Sequence, residues 1–275
     1  MEIIDGKKIS QDIIEKVGKE IIEKNLNVGL AVILIGDDPA SKLYVKLKKK
    51  ACRKVGIDFY SYKFPKNTST EKVIEAIDFL NQDKDINSIL VQLPLPKHLD
   101  KEKIINAINP QKDVDGFHPT NLKKYLNGEI DRLPGLNEGI DILLQSTNEN
   151  LSNKKICILA NSKEFSLPLE KRLQQKSQNV EYVNLENKKW TQVVKQADVL
   201  IIAVGKPLLI TANDIKKDAI IIDVGTNKLT KNTVVGDVDF DSVSDKCSYI
   251  TPVPGGVGPI TIAMLLKNSV ELAQQ

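Results

Sequence analysis

Lys48 is the residue whose type and position most invite chemistry. The segment from Pro39 to Lys54 reads as a helix, with Pro39 tolerated in its first turn. At roughly 100° per residue, and with Tyr44 taken as zero, Ala40, Leu47, Ala51 and Val55 fall within roughly 60° and form an apolar stripe. Lys42, Lys46, Lys49 and Arg53 fall roughly 140° to 200° away, on the outer face. Lys48 lies about 40° from Tyr44, inside the stripe. Two readings are open. The amine can snorkel from the stripe's edge into water, or it can stay desolvated and act as an acid or base near neutral pH. Helical geometry alone does not choose between them.

Other polar residues are ordinary when taken singly. Gln92 is a polar residue at a strand end, Asp115 is a turn aspartate before Gly116, and Tyr44 is a core aromatic. His98 and His118 have no ligand-spaced neighbours, so a metal-free protein is expected. Cys52, Cys157 and Cys247 form no C-x-x-C pair and indicate a reducing compartment rather than a disulfide framework.

Strand-like and helix-like segments alternate along the chain, the pattern of an α/β protein with parallel sheets. Ser10 is the expected N-cap of a first helix carrying Ile13, Ile14, Val17, Ile21 and Ile22 at helical spacing. Strands are expected at Gly29 to Ile35, Asp58 to Phe64 and Asn87 to Val91, with a helix from about Thr70. A second series has strands at Lys155 to Leu159, Val180 to Asn184, Val199 to Val204 and Ala219 to Val224, which suits a dinucleotide-fold half. A helix from about Leu167 follows the first of these. Val257 to Gln275 is a further helix, and a helical segment from Gly139 to Gln145 is expected to bridge two α/β lobes.

Composition narrows the partners. Of 275 residues, 41% are hydrophobic and 27% charged, and 39 basic residues nearly balance 36 acidic ones for a net charge of +3. That balance offers no argument for nucleic acid or an anionic membrane. No apolar stretch approaches the roughly 20 residues of a membrane helix. Met1-Glu2-Ile3-Ile4-Asp5 lacks the segments of a secretory signal, so a cytoplasmic protein is expected.

Four blocks in order carry a resemblance. Asp37 to Lys48 follows D-x-P-A-S-x-x-Y-V-x-x-K, and Val91 to Pro96 reads V-Q-L-P-L-P. Lys112 to Phe117 reads K-D-V-D-G-F, and Thr251 to Pro259 reads T-P-V-P-G-G-V-G-P. The chain resembles the methylenetetrahydrofolate dehydrogenase/methenyltetrahydrofolate cyclohydrolase family over nearly its whole length. The resemblance implies a folate-binding catalytic domain over 1–118 plus 257–275 and a Rossmann-like NAD(P)-binding domain over 119–256, with the C-terminal helix returning to the first lobe. It implies that Lys48 is the general acid/base of the cyclohydrolase step and that Tyr44 helps position substrate. Gln92 is implied to hydrogen-bond and tune Lys48, and Asp115 to accept hydrogen bonds from the pterin. Pro254, Gly255 and Gly256 are implied to line the folate site. Homodimers paired through the dinucleotide domain and NADP as cofactor are also implied.

The nucleotide segments depart from the family pattern. Where the family has G-R-S-x-x-V-G-x-P, this chain has Ala160 to Pro168, keeping Ser162 and Pro168 but neither glycine. Ala160, Phe165 and Ser166 are expected to crowd the phosphate turn. Asn161 replaces an arginine, and Glu186 follows the next strand where a basic residue is usual. Glu186 favours a ribose hydroxyl over a 2′-phosphate, so NAD, or no nucleotide, stands beside NADP. Leu133 to Gly139 departs from the family's P-C-T-P-x-G, whereas Asp223 to Asn227 and Gly236 to Phe240 stay close to it. Ala160, Asn161, Ser162, Glu186, Thr226 and Thr261 make up the implied cofactor set. Three functions follow: a bifunctional enzyme with altered nucleotide preference, a cyclohydrolase that has lost hydride transfer, or a non-catalytic folate-binding or interaction protein.

Overall fold

Hydrophobic patterning resolves into two compact units in the computed structural model, which describes residues 1–230 and 233–275. One unit comprises Gln11–Gly135 with Ile262–Gln275, the other Met1–Ser10 with Leu136–Thr261.

Chain order begins with β1 (Glu2–Ile3), α1 (Gly6–Glu23), β2 (Gly29–Ile35), α2 (Pro39–Val55), β3 (Asp58–Phe64), α3 (Thr70–Gln82) and β4 (Ser88–Val91). Helices α4 (Lys101–Asn106), α5 (Pro119–Asn127) and α6 (Gly135–Gln145) follow. In the first unit β2 is flanked by β3 and β4 in a three-stranded parallel sheet. Every residue of β2 is buried, as its unbroken apolar run requires. Its side chains alternate between two cores. Leu30, Val32 and Leu34 pack with Val45, Cys52 and Val55, while Ala31, Ile33 and Ile35 pack with Val73, Ile77 and Ile104.

The other unit contains β5 (Ile156–Ala160), α7 (Lys163–Gln174), β6 (Val180–Val183), α8 (Trp190–Gln196), β7 (Val199–Ala203), β8 (Ile220–Asp223), β9 (Asn227–Lys228), β10 (Val234–Val235), α9 (Phe240–Val243) and β11 (Tyr249–Ile250). Its six-stranded sheet has the order β1-β11-β8-β7-β5-β6 with parallel pairing throughout. The final helix, α10 (Val257–Ala273), begins here and ends in the first unit, returning as expected.

Several details differ from the sequence reading. Helix α1 starts at Gly6, where Asp5 accepts from the Lys8 N–H at 3.1 Å. Ser10 is therefore not its cap; its hydroxyl donates within the helix to the Lys7 carbonyl. Ile22 lies 79% exposed despite its apolar spacing. Helix α7 begins at Lys163 rather than Leu167, because Ser162 caps it and Pro168 is accommodated inside. The units also divide the chain differently from the expected domains. Met1–Ser10 belong with β11 through β1, and residues 119–135 stay with the first unit, where Arg132 donates to the Asp113 carbonyl. Among the described residues, no helix is long and apolar enough to cross a membrane.

Candidate active site

Helix α2 fixes Lys48. The Asp38 carboxylate caps its start by accepting from the Ser41 N–H at 2.7 Å, with Pro39 at the first helical position. Gly56, at φ +86°, ends it by donating to the Cys52 carbonyl. The buried face is rotated from the expected stripe. Leu47 and Ala40 are exposed, and the buried residues are Ser41, Val45, Cys52 and Val55. On the same wheel these lie at roughly 20° to 100°, so Lys48 at about 40° falls within that line.

Strand β4 supplies the partner. The Gln92 N–H, just past the strand, donates to the Ile33 carbonyl at 2.9 Å and holds the residue beside β2. The Gln92 amide N–H₂ donates to the Leu93 carbonyl at 2.8 Å, which orients its oxygen to accept from Lys48 Nζ at 2.9 Å. Burial lowers the Lys48 pKa, while Asp115 and Cys52 pull it up. Burial pushes the Cys52 thiol up to about 12, so it is neutral near pH 7 and Asp115 is the effective countercharge. Tyr44 lies one turn before Lys48 and is half-buried.

A rigid turn presents Asp115. The Ile89 N–H of β4 donates to the Lys112 carbonyl, extending the sheet's reach to this turn. Buried Asp113 accepts from the N–H groups of Gly116 (3.1 Å) and His118 (2.8 Å) and from the Asn121 side chain (3.0 Å). Asn268 of α10 donates to the Val114 carbonyl. Gly116 takes φ +80°, and a Cβ there would meet Pro134 at 2.9 Å. Protein crowding pushes the Asp115 carboxyl up to about 6, Lys48 draws it down and Asp113 adds to the rise. By surface area the residue is exposed, so the crowding is screened by water that still reaches it.

Two residues escaped the sequence reading. Asp113 organises the turn, a role signalled by its place three residues before Gly116. Ser41 carries a buried hydroxyl with no hydrogen-bond partner, on the same α2 face as Lys48. Nothing in its type or spacing distinguished it from a helix-start serine.

Pro254, Gly255 and Gly256 fall in the other compact unit. Gly255 has φ +123°, and a Cβ on Gly256 would meet Thr251 at 2.6 Å, so the turn itself requires the missing side chain. The first β–α turn of this unit runs from β5 through Asn161 and Ser162 into α7. Ala160, Phe165 and Ser166 are buried and point into the protein. The Ser166 hydroxyl donates back to the Ser162 carbonyl at 2.8 Å, within the turn. Buried Asn137 donates to the Phe165 carbonyl at 2.7 Å. Asn161 donates to the Val204 carbonyl at 2.9 Å. Glu186 and Thr226 are exposed, as are Lys188 and Lys189 beside Glu186, and Thr261 donates within α10 to the Gly258 carbonyl.

Asp223 and Asp237 lock the ends of β7 and β8. Asp223 accepts from the N–H groups of Gly225, Asp237 and Val238. Asp237 accepts from the N–H groups of Val204 and Gly205 and from the Asn227 side chain. Burial pushes the Asp223 carboxyl up to about 7 against the three N–H donors. Their family-like segments thus maintain the fold.

The class defined so far is a two-unit α/β protein, with an amine–amide–carboxylate group in one unit and a parallel dinucleotide-type sheet in the other. Residues 4–115 match the tetrahydrofolate dehydrogenase/cyclohydrolase catalytic domain, and residues 134–275 match the NAD(P)-binding domain of the same name. The chain belongs to the tetrahydrofolate dehydrogenase/cyclohydrolase family. It is 44% identical to the bifunctional protein FolD of Nautilia profundicola, across 100% of this chain and 98% of that protein. The bifunctional FolD structure from Campylobacter jejuni superposes with a TM-score of 0.94 at 41% identity, covering 100% of this chain and 99% of that one. The Trypanosoma brucei FolD structure, complexed with NADP and an inhibitor, gives 0.94 at 31% identity over 99% of this chain and 97% of that one.

Proposed function

We propose that this chain hydrolyses 5,10-methenyltetrahydrofolate to 10-formyltetrahydrofolate. As a bifunctional member of its family it also oxidises 5,10-methylenetetrahydrofolate reversibly with an NAD(P) nucleotide. The observation that carries the hydrolytic reading is Lys48 Nζ, lowered in pKa by burial, donating to Gln92 at 2.9 Å with Asp115 as countercharge.

The substrate carries a cationic amidinium carbon that water can attack. A fully charged ammonium would repel that cation, so the lowered pKa is the useful property. Neutral Lys48 takes a proton from water as the oxygen bonds to carbon, giving a neutral carbinol. The resulting ammonium returns that proton to the departing ring nitrogen as the carbon–nitrogen bond breaks. The carbinol O–H proton passes to solvent as the formyl C=O forms, so one proton is released per turnover. Gln92 holds the amine in place, Asp115 and Tyr44 position the pterin, and Ser41 offers a further hydroxyl on the same helix face. Pro254, Gly255 and Gly256 stand as substrate-lining residues by the family pattern, and the homodimer is carried over on the same basis.

The nucleotide turn fits its ligand less well. Phosphate is commonly held at the N-terminus of the first helix of such a unit. Here Ser162 caps that end, and the Glu164 carboxylate accepts from the Ser162 hydroxyl at 2.7 Å. A carboxylate there opposes a diphosphate. Within the bifunctional reading, this turn points to a weakened affinity for the dinucleotide. Glu186 supports NAD over NADP, although Lys188 and Lys189 offset its charge. A non-catalytic binder is disfavoured by the retained Lys48–Gln92 contact.

The test follows methenyltetrahydrofolate absorbance in the absence of nucleotide. Loss faster than in buffer is expected; a rate equal to buffer refutes the hydrolytic reading.

A further inference from the structure

We infer that Glu164 is an intramolecular anion that occupies the phosphate position of the nucleotide turn and sets the affinity for dinucleotide. The inference rests on the family reading of this unit as an NAD(P)-binding domain. Glu164 is exposed in the first turn of α7, where the helix end is electropositive. The Ser162 hydroxyl donates to it at 2.7 Å while accepting from the Phe165 N–H at 3.3 Å. One serine thus caps the helix and holds the carboxylate over it.

The turn is also fixed on both sides. Asn161 is tied to the Val204 carbonyl at the end of β7. At the far end of α7, Arg172 and Lys176 both pair with Asp141, a buried residue of α6. With the turn held on both sides, a phosphate brought to this helix end meets the Glu164 charge. Lys163 is exposed beside it. The penalty is electrostatic, acts on any phosphate, and is screened by salt.

Glu164→Gln tests this, because the amide keeps an acceptor for Ser162 and removes the charge. Calorimetric titration with NAD and with NADP at low ionic strength should give about tenfold tighter binding in E164Q. The gain should shrink toward unity at about 0.5 M salt. Adenosine, which carries no phosphate, should bind both proteins alike. Hydrolysis without nucleotide should be unchanged, and that assay judges the hydrolytic reading separately. Equal or weaker dinucleotide binding in E164Q overturns the inference, as does undetectable binding in both proteins or a gain that salt leaves intact.

Discussion

The chemistry assigned to Lys48 depends on two neighbours acting in opposite directions. Burial disfavours the ammonium, and the Asp115 carboxylate favours it. Asp115→Asn should therefore lower the Lys48 pKa further. If neutral Lys48 is the active base, kcat rises with pH through that pKa, and this rising limb should move to lower pH in D115N. A limb that moves to higher pH contradicts the assignment. The helix position of the lysine conflicted with its charge and singled it out, but only the family pattern implied its role. Its Gln92 contact was reached only through the family pattern, since two residues 44 apart in sequence have no local signal of contact. Ser41 was missed because an unsatisfied hydroxyl is a property of packing, invisible in residue type.

At the scale of elements, β8 and the loop after β10 fit closely. A Cβ on Gly236 would lie 1.7 Å from the Asp223 carboxylate, and one on Gly225 would lie 2.4 Å from the Asp237 carboxyl carbon. Gly236→Ala should destabilise the protein by roughly 1–3 kcal/mol, or more if the three N–H contacts to Asp223 are lost. A urea titration reads this, and an unchanged midpoint would show that the lock is loose. The central strands were legible because fully buried parallel strands read as unbroken apolar runs, as in β2. Helix α7 was placed four residues late, whereas Ser162 sets the cap. The two-residue strands β1 and β11 carry too little pattern to be read.

At the scale of the whole molecule, the alternation of strands and helices announced two α/β units but not their boundaries. Those depend on non-local pairing: β1 joins β11 across most of the chain, which no window of sequence displays. The division also separates the chemistry, since Lys48, Gln92 and Asp115 lie in one unit and Asn161, Ser162 and Glu186 in the other. Loss of the amine should therefore leave nucleotide binding and folding intact. The most direct measurement is the nucleotide-free hydrolysis rate of Lys48→Met beside that of the unaltered protein, with thermal midpoint and dinucleotide titration as controls. The account predicts a fall of about 10²–10⁴-fold with both controls unchanged. Hydrolysis by K48M at the unaltered rate would contradict it.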